Sequence, residues 1–216
     1  MRSSLVDRFR PCMPILLLAL LAAGCGGQDD ANRLADVTHM GPGSVVADFG
    51  AGKGELTIPM AQKVGPSGHV FATEVNPSRL EAIRERAEKA GVQNVTVIEG
   101  AEKTTNLPDN CCDVIFMRGV YHHLTDPADI DRSLYRALRP GGEIAIQDFR
   151  PTIWLAPWTP KGIPANRGGH GVPPNIVVDE MTAAGFHLEQ TIDPWTSSWF
   201  FSNYCLVFHK SAAAAR

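Results

Sequence analysis

Val46-Ala47-Asp48-Phe49-Gly50-Ala51-Gly52-Lys53-Gly54 is the stretch on which the reading of this chain turns. Ser44 to Phe49 is a short apolar run that ends in glycine, the profile of a strand buried in a parallel sheet. Glu55 to Val64 then reads as a helix, with Leu56, Met60 and Val64 on one stripe and Pro59 near its first turn. Between strand and helix, Gly50, Gly52 and Gly54 let the backbone turn tightly and approach a ligand. The helix start offers free N–H groups and a positive dipole, suited to an anionic group. The spacing is Gly-x-Gly-x-Gly; Glu55 stands where a dinucleotide-binding loop needs its last glycine, and the Gly-Lys-Ser/Thr of a triphosphate loop is absent.

The same alternation continues outward. Gly65-Pro66-Ser67-Gly68 is a turn and His69 to Glu74 a second strand. Glu74 closes that strand twenty residues after Gly54, where a carboxylate accepts hydrogen bonds from both hydroxyls of a ribose. Asn76-Pro77 starts a helix that Gly91 stops. Val95–Glu99 and Asp113–Met117 are the third and fourth strands. Asp126-Pro127 opens a helix that ends at Arg139-Pro140-Gly141-Gly142, and Glu143–Asp148 is a fifth strand. Residues 151–174 are rich in proline and glycine and read as a long, lid-like loop. A helix from Asn175 to Ala184 and strands at His187–Ile192 and Tyr204–His209 complete the pattern. Strands alternating with helices predict a parallel sheet covered on both faces.

The chain has 216 residues, 44% hydrophobic and 20% charged, enough for one domain with a substantial core. Twenty Lys+Arg face 23 Asp+Glu, which excludes nucleic-acid binding by bulk charge. Five scattered cysteines exclude a disulfide scaffold. Cys111-Cys112 reads as two small residues at a strand start; no further ligands are visible beside it, and no metal site is expected. Cys205 and the Trp195–Phe201 cluster read as core, and His170, flanked by glycines, as an exposed bystander.

These segments resemble the class I S-adenosylmethionine-dependent methyltransferases, in particular the bacterial type 11 methyltransferase-domain proteins, from about Gly41 to Lys210. Val46 to Gly52 is similar to their first motif and Glu74 to their ribose carboxylate. Cys112–Met117 leading into Tyr121-His122-His123-Leu124-Thr125-Asp126-Pro127 resembles their fourth-strand segment, and Leu138-Arg139-Pro140-Gly141-Gly142-Glu143 the segment before their fifth strand. The resemblance implies an α/β, Rossmann-like, doubly wound sheet of seven strands, mostly parallel with an antiparallel last strand. It implies S-adenosyl-L-methionine as cofactor, bound by Asp48, Gly50, Gly52, Gly54 and Glu74, with Glu102 in place of an aspartate near the adenine. The activity implied is methyl transfer to a small-molecule acceptor. His122, His123 and Asp148 are the candidate bases, each also readable as a packing or capping residue. A non-catalytic, membrane-anchored protein of the same fold holding a nucleoside-like ligand is the alternative.

The amino end reads as an address. Arg2, Arg8 and Arg10 precede a nine-residue aliphatic run from Ile15 to Ala23, too short to span a bilayer but suited to a signal peptide core. Leu21-Ala22-Ala23-Gly24-Cys25 resembles the bacterial lipobox, so residues 1–24 are expected to be removed and Cys25 to carry lipid. Residues 25–40 then read as a flexible tether and short lead-in, 41–210 as the methyltransferase domain and 211–216 as a tail. With nineteen residues between Cys25 and Val45, the 151–174 loop is expected to cover the cofactor alone, or the pocket to stand open. The location implied is the periplasmic side of the cell envelope, or the cytoplasm if translation starts near Met40. Oligomeric state is not legible.

Overall fold

The computed structural model describes residues 27–197 and 202–212. The stretch expected to be a signal peptide, Cys25 and the aromatic residues Trp199, Phe200 and Phe201 lie outside them.

Seven strands form one sheet in the order β3-β2-β1-β4-β5-β7-β6. They are β1 (Val45–Phe49), β2 (His69–Glu74), β3 (Val95–Glu99), β4 (Cys112–Arg118), β5 (Leu138–Phe149), β6 (His187–Ser197) and β7 (Ser202–His209). β1 to β5 pair in parallel, and β7 runs antiparallel to both β5 and β6, as the sequence predicts. Strand order reverses at β1, which pairs with β2 on one side and β4 on the other. The crevice at the carboxyl ends of these strands is where such sheets bind ligands.

Among the described residues, five α-helices flank the sheet: α1 (residues 27–37), α2 (Thr57–Val64), α3 (Pro77–Ala90), α4 (Pro127–Ala137) and α5 (Pro174–Ala183). Local chemistry explains several ends. Asn76 accepts from the backbone N–H of Ser78 at 3.0 Å and Pro77 occupies the first turn of α3, while Gly91 closes it in the left-handed region at φ 67°. Asp126 caps α4 in the same way, accepting from Asp129 N at 3.4 Å. Alternate residues along each strand face opposite layers. Ala47, Ile115, Ile144, Leu206 and Phe208 pack with Leu134 of α4 and Val177 and Met181 of α5. Val46, Val114, Phe116, Ala145 and Val207 pack on the other face with Met60 and Val64 of α2.

Three expectations are corrected. Residues 27–37 are not a tether: they form α1, whose Ala31, Leu34 and Ala35 are buried against the second of these layers. Its apolar residues are short and interrupted by charge, so the stripe was masked by the glycines and acids before it. β5 begins at Leu138, ahead of the predicted Glu143. Arg139-Pro140-Gly141-Gly142 is a bulge inside the strand, where the register against β4 jumps from Cys112–Leu138 to Val114–Glu143. A side chain on Gly142 would meet the carbonyl oxygen of Asp113 at 2.7 Å, so only glycine fits this approach. β6 runs on to Ser197, past the predicted Ile192, with a register shift between Ile192 and Thr196 that accommodates Pro194.

Trp195 is thereby placed in the core. Its indole N–H donates to Asp30 of α1 at 3.2 Å, and the Arg33 guanidinium lies 3.9 Å from the ring centroid. Cys205 is buried, as expected. Cys111 and Cys112 are free thiols with Sγ atoms 2.7 Å apart.

Candidate active site

At the end of β1 the chain turns through Gly50 (φ 72°), Gly52 (φ 57°) and Gly54 (φ 80°) into α2. Gly50 N donates to the carbonyl of Thr73 at 3.0 Å, which ties the loop to β2. A methyl group on Gly50 would meet both methyls of Val120 at 2.6 and 2.8 Å, whereas one on Gly52 would meet nothing within 4 Å. The first glycine is therefore required by packing, and the second leaves open space on the wall of a cavity.

That cavity has a volume of about 720 Å³. Asp48, Gly50, Gly52, Glu74 and Glu102 all line it, so the sequence-predicted cofactor residues are brought to one place, Gly54 lying just behind them. Glu74 is 6% exposed. Its Oε2 accepts from Gly52 N at 3.0 Å and its Oε1 from Val75 N and Asn76 N at 2.9 and 3.0 Å. Arg79 approaches Oε2 to 3.6 Å. The carboxylate is thus fixed in place and couples the tip of the glycine loop to the end of β2. Asp48 is 2% exposed and accepts from the Thr57 hydroxyl at 2.6 Å. Burial raises its pKa to about 6, against the lowering effect of the Thr57 hydrogen bond. Glu102 is exposed at the rim.

The partnership of three charged residues beside this wall escapes a sequence reading. Arg118, at the end of β4, donates to Asp30 of α1 and to Glu55 after the glycine loop, each at 3.0 Å. Glu55, which breaks the expected glycine pattern, thereby becomes one end of a bridge from α1 across β4. No described residue of 151–174 lines the cavity, which stands partly open, the second of the two expectations; the bridge from α1 lies beside its wall. Nothing local in the sequence pairs Asp30 with Arg118, 88 residues away.

The candidate bases also converge. Tyr121–His123 form one 3-10 turn after β4. His122 is 3% exposed; its Nδ1 lies 2.8 Å from Asp148 Oδ1, and its backbone N–H donates to Asp148 Oδ2 at 3.1 Å. Asp148 Oδ1 also accepts from Phe149 N at 2.8 Å. His123 alone of the three lines the cavity. Desolvation, followed by the neighbouring rings of His122 and His170, lowers its pKa to about 4. His170 is no bystander: it is half-buried, with its ring centroid 5.0 Å from that of His122 and 5.8 Å from that of His123. Behind the turn, Tyr121 Oη lies 2.8 Å from Asp131 Oδ2 and 2.9 Å from Glu180 Oε2. The fully buried Arg167 approaches Glu180 to 2.9 Å and so anchors the 151–174 loop.

The geometry tests whether S-adenosylmethionine suits these residues. Gly52 and Gly119 both take left-handed backbone, line the cavity and would carry a side chain into open space. Together with an ordered carboxylate at the end of β2, they form a cradle of the right chemistry for a ribose and a polar amino-acid chain.

A family model described as "Methyltransferase domain" matches residues 40–167. The chain belongs to this methyltransferase family. Its cofactor is S-adenosylmethionine. Among the methyltransferase's relatives, a ubiquinone/menaquinone biosynthesis C-methyltransferase UbiE from Legionella pneumophila (strain Lens) is 30% identical over 120 residues, 55% of this chain and 48% of that one. The UbiE of Vibrio cholerae (strain ATCC 39315) is 32% identical over 119 residues, 55% of this chain and 46% of that one. The methyltransferase thus spans about half the length of the relatives it matches. Among solved structures, an S-adenosylmethionine-dependent methyltransferase from Aquifex aeolicus superposes with a TM-score of 0.68 at 24% identity, over 83% of this chain and 88% of that one. The [4+2]-cyclase SpnF superposes with a TM-score of 0.72 at 14% identity, over 86% and 82%. These two likenesses establish the fold; a cyclase among them illustrates why the fold does not select the reaction.

Proposed function

We propose that this methyltransferase transfers a methyl group from S-adenosylmethionine to a small-molecule acceptor, with Asp48, Gly50, Gly52, Gly54, Glu74 and Glu102 on the cofactor side. The observation that carries the reading is one continuous cavity. Its walls run from Glu74 and the glycine loop to His123, Leu124 and Thr125, and its volume falls within the range of about 300–1,000 Å³ common for small-molecule sites. The relatives named as C-methyltransferases of quinone biosynthesis make a carbon on a hydroxylated ring the first acceptor class to try.

When bound, the cofactor supplies a methyl on a sulfonium, already a good leaving centre. The residues of this chain have the remaining tasks. Glu74 orients the ribose hydroxyls, and the backbone of Gly50 and Gly52 permits close approach. The cavity walls align the acceptor against the methyl group. His123 hydrogen-bonds the acceptor more readily than it deprotonates it. With a conjugate-acid pKa of about 4 it is neutral at pH 7 but a weak base, poorly matched to a hydroxyl near 10.

Calorimetric titration of the protein with S-adenosylmethionine and S-adenosylhomocysteine tests the cofactor side. Micromolar binding that is lost in Glu74→Ala supports the proposal, and transfer of labelled methyl to a phenolic acceptor completes it. Absence of binding at millimolar ligand, from folded protein, overturns it; binding without turnover on any acceptor favours the non-catalytic alternative.

We further propose that lipid on Cys25 holds the domain at the cell envelope. The support is the sequence: basic residues, a nine-residue aliphatic run and small residues before the cysteine.

A further inference from the structure

We propose that His122, His123 and His170 form a binding site for a divalent transition-metal ion of the zinc class at the wall of the cofactor cavity. Among the described residues these are the one group of three or more His, Cys, Asp or Glu side chains with metal-ligand spacing; one nitrogen from each ring lies within 4.8 Å of the other two. Neutral imidazole nitrogens are the ligands that zinc, cobalt, nickel and copper prefer, and three histidines with one position left open is a known arrangement for catalytic zinc.

Each histidine is held by a different device. The 3-10 turn carries His122 and His123 side by side, ring centroids 4.0 Å apart. Asp148 takes the Nδ1 side of His122 at 2.8 Å, leaving Nε2 as the free nitrogen of a buried ring. A carboxylate on the far nitrogen is the usual partner of a metal-bound histidine, fixing its tautomer and raising its basicity. His170 arrives from the 151–174 loop. Val172 N donates to the Phe149 carbonyl at 2.9 Å and the Tyr204 hydroxyl to the Val172 carbonyl at 2.9 Å, which pin the loop beside the end of β5. Gly171 is pressed so closely there that a side chain would meet Pro151 N at 2.7 Å.

The second, independent observation is an unpaired atom. His170 Nδ1 is buried with no hydrogen-bond partner. Leaving such a group unpaired is unfavourable, and the apolar ring of Phe149, its centroid 5.8 Å from that of His170, offers it nothing. A phenylalanine would fill the same space without that penalty. A metal ion supplies the missing partner to His170 while drawing on the free nitrogens of the other two rings. Three tetrahedral nitrogens at about 2.05 Å from zinc stand about 3.3 Å apart, so the rings close by at most about 1.5 Å on binding. Gly168 and Gly169, on the looser side of His170, give it the freedom for that adjustment.

His123 belongs to both the triad and the cavity wall, so the open coordination position is available to an acceptor's hydroxyl or thiol. This last step rests on the methyl-transfer reading. A metal-bound hydroxyl or thiol gives up its proton to solvent near neutral pH. The resulting anion, or a ring carbon conjugated to it, then attacks the methyl carbon; the carbon–sulfur bond breaks with its electron pair leaving on the neutral thioether.

The test uses the full chain, stripped with a chelator and titrated with Co²⁺ and then Zn²⁺. One equivalent of Co²⁺ giving the visible bands of a low-coordinate ion, displaced by Zn²⁺, is the expected result. His170→Ala, outside the cavity lining, should weaken Co²⁺ binding at least tenfold, and His123→Ala likewise, with circular dichroism unchanged. No visible band, or an equivalent of metal held unchanged by both variants, overturns the site. S-adenosylhomocysteine titration of the same metal-free protein keeps the two readings apart. Metal without cofactor binding refutes the methyl-transfer reading and leaves the site; cofactor without metal binding does the reverse.

Discussion

Gly50→Ala and Gly52→Ala place the same methyl group two residues apart in one loop, and the structure gives them opposite consequences. Both positions hold left-handed backbone, at φ 72° and 57°, which destabilises a residue with a side chain by about 1–2 kcal/mol. At Gly50 the added carbon also meets Val120 methyls at 2.6 and 2.8 Å, an overpacking that typically adds about 1–3 kcal/mol. Gly50→Ala should therefore lower stability by about 2–5 kcal/mol, and Gly52→Ala by only about 1–2 kcal/mol. Cofactor affinity should show the reverse order of directness. In Gly52→Ala the methyl points into open space at the cavity wall and S-adenosylhomocysteine binding falls about tenfold or more, about 1.4 kcal/mol. Urea denaturation gives the stabilities and calorimetry the affinities. The double variant Gly50→Ala/Val120→Ala removes the clash but keeps the backbone strain, so a double-mutant cycle should show a favourable coupling of about 1–3 kcal/mol. Strict additivity of the two substitutions, or equal destabilisation by the two alanines, would refute the packing argument for this loop.

Three further outcomes follow from other parts of the molecule. The Asp48 carboxyl has a folded-state pKa of about 6 against 3.8 unfolded, so its burial penalty is absent below pH 3.8, grows between the two values and is complete above about 6. Asp48→Asn keeps an acceptor for Thr57 and escapes that penalty; its stability advantage over the native protein should rise from pH 4 to 6 and level off on the order of 3 kcal/mol. An advantage that does not change with pH in denaturant titrations would show that the carboxylate is solvated. Trp195→Ala removes the platform beneath Arg33 and the donor to Asp30, and should destabilise by about 3–5 kcal/mol while exposing 27–37 to limited proteolysis; protection of that segment would contradict its docking. For the envelope proposal, the native chain should fractionate with membranes and Cys25→Ser should be released or left unprocessed, whereas a cytosolic native chain removes the proposal.

The parts of the fold that sequence makes legible are those written in local chemistry. Asn76, Pro77 and Gly91 delimit α3 because a cap, a fixed φ and a left-handed stop act within a turn of themselves. The glycine loop and Glu74 are legible for a related reason: strand, turn and helix fix their separation, and β2 must lie beside β1. Arg118 reads as an ordinary strand end, since its partners Asp30 and Glu55 come from α1 and the glycine loop. His170 reads as a loop residue because its neighbours lie nearly fifty positions away. The Pro-Gly-Gly segment looks like a terminator between helix and strand, but antiparallel β7 holds it in the sheet: Gly141 N donates to Lys210 O at 2.8 Å and Lys210 N to Gly142 O at 3.0 Å. In each case the deciding contact is tertiary, and propensity within a window carries no record of it.

The docking of α1 imposes an order on biosynthesis. This helix is made before every strand of the sheet, yet the surface that receives it includes Trp195, Cys205 and Val207 from the last two strands. At about 5–20 residues per second, roughly ten seconds or more pass between synthesis of the helix and of its complete landing surface. During that interval residues 27–37 have only the part of their landing surface that β1, α2 and β2 supply. Once β6 and β7 are made, Arg33 and Asp30 close onto Trp195 and the window shuts. The fold thus leaves its first described helix incompletely seated until the last strands of the domain have been made.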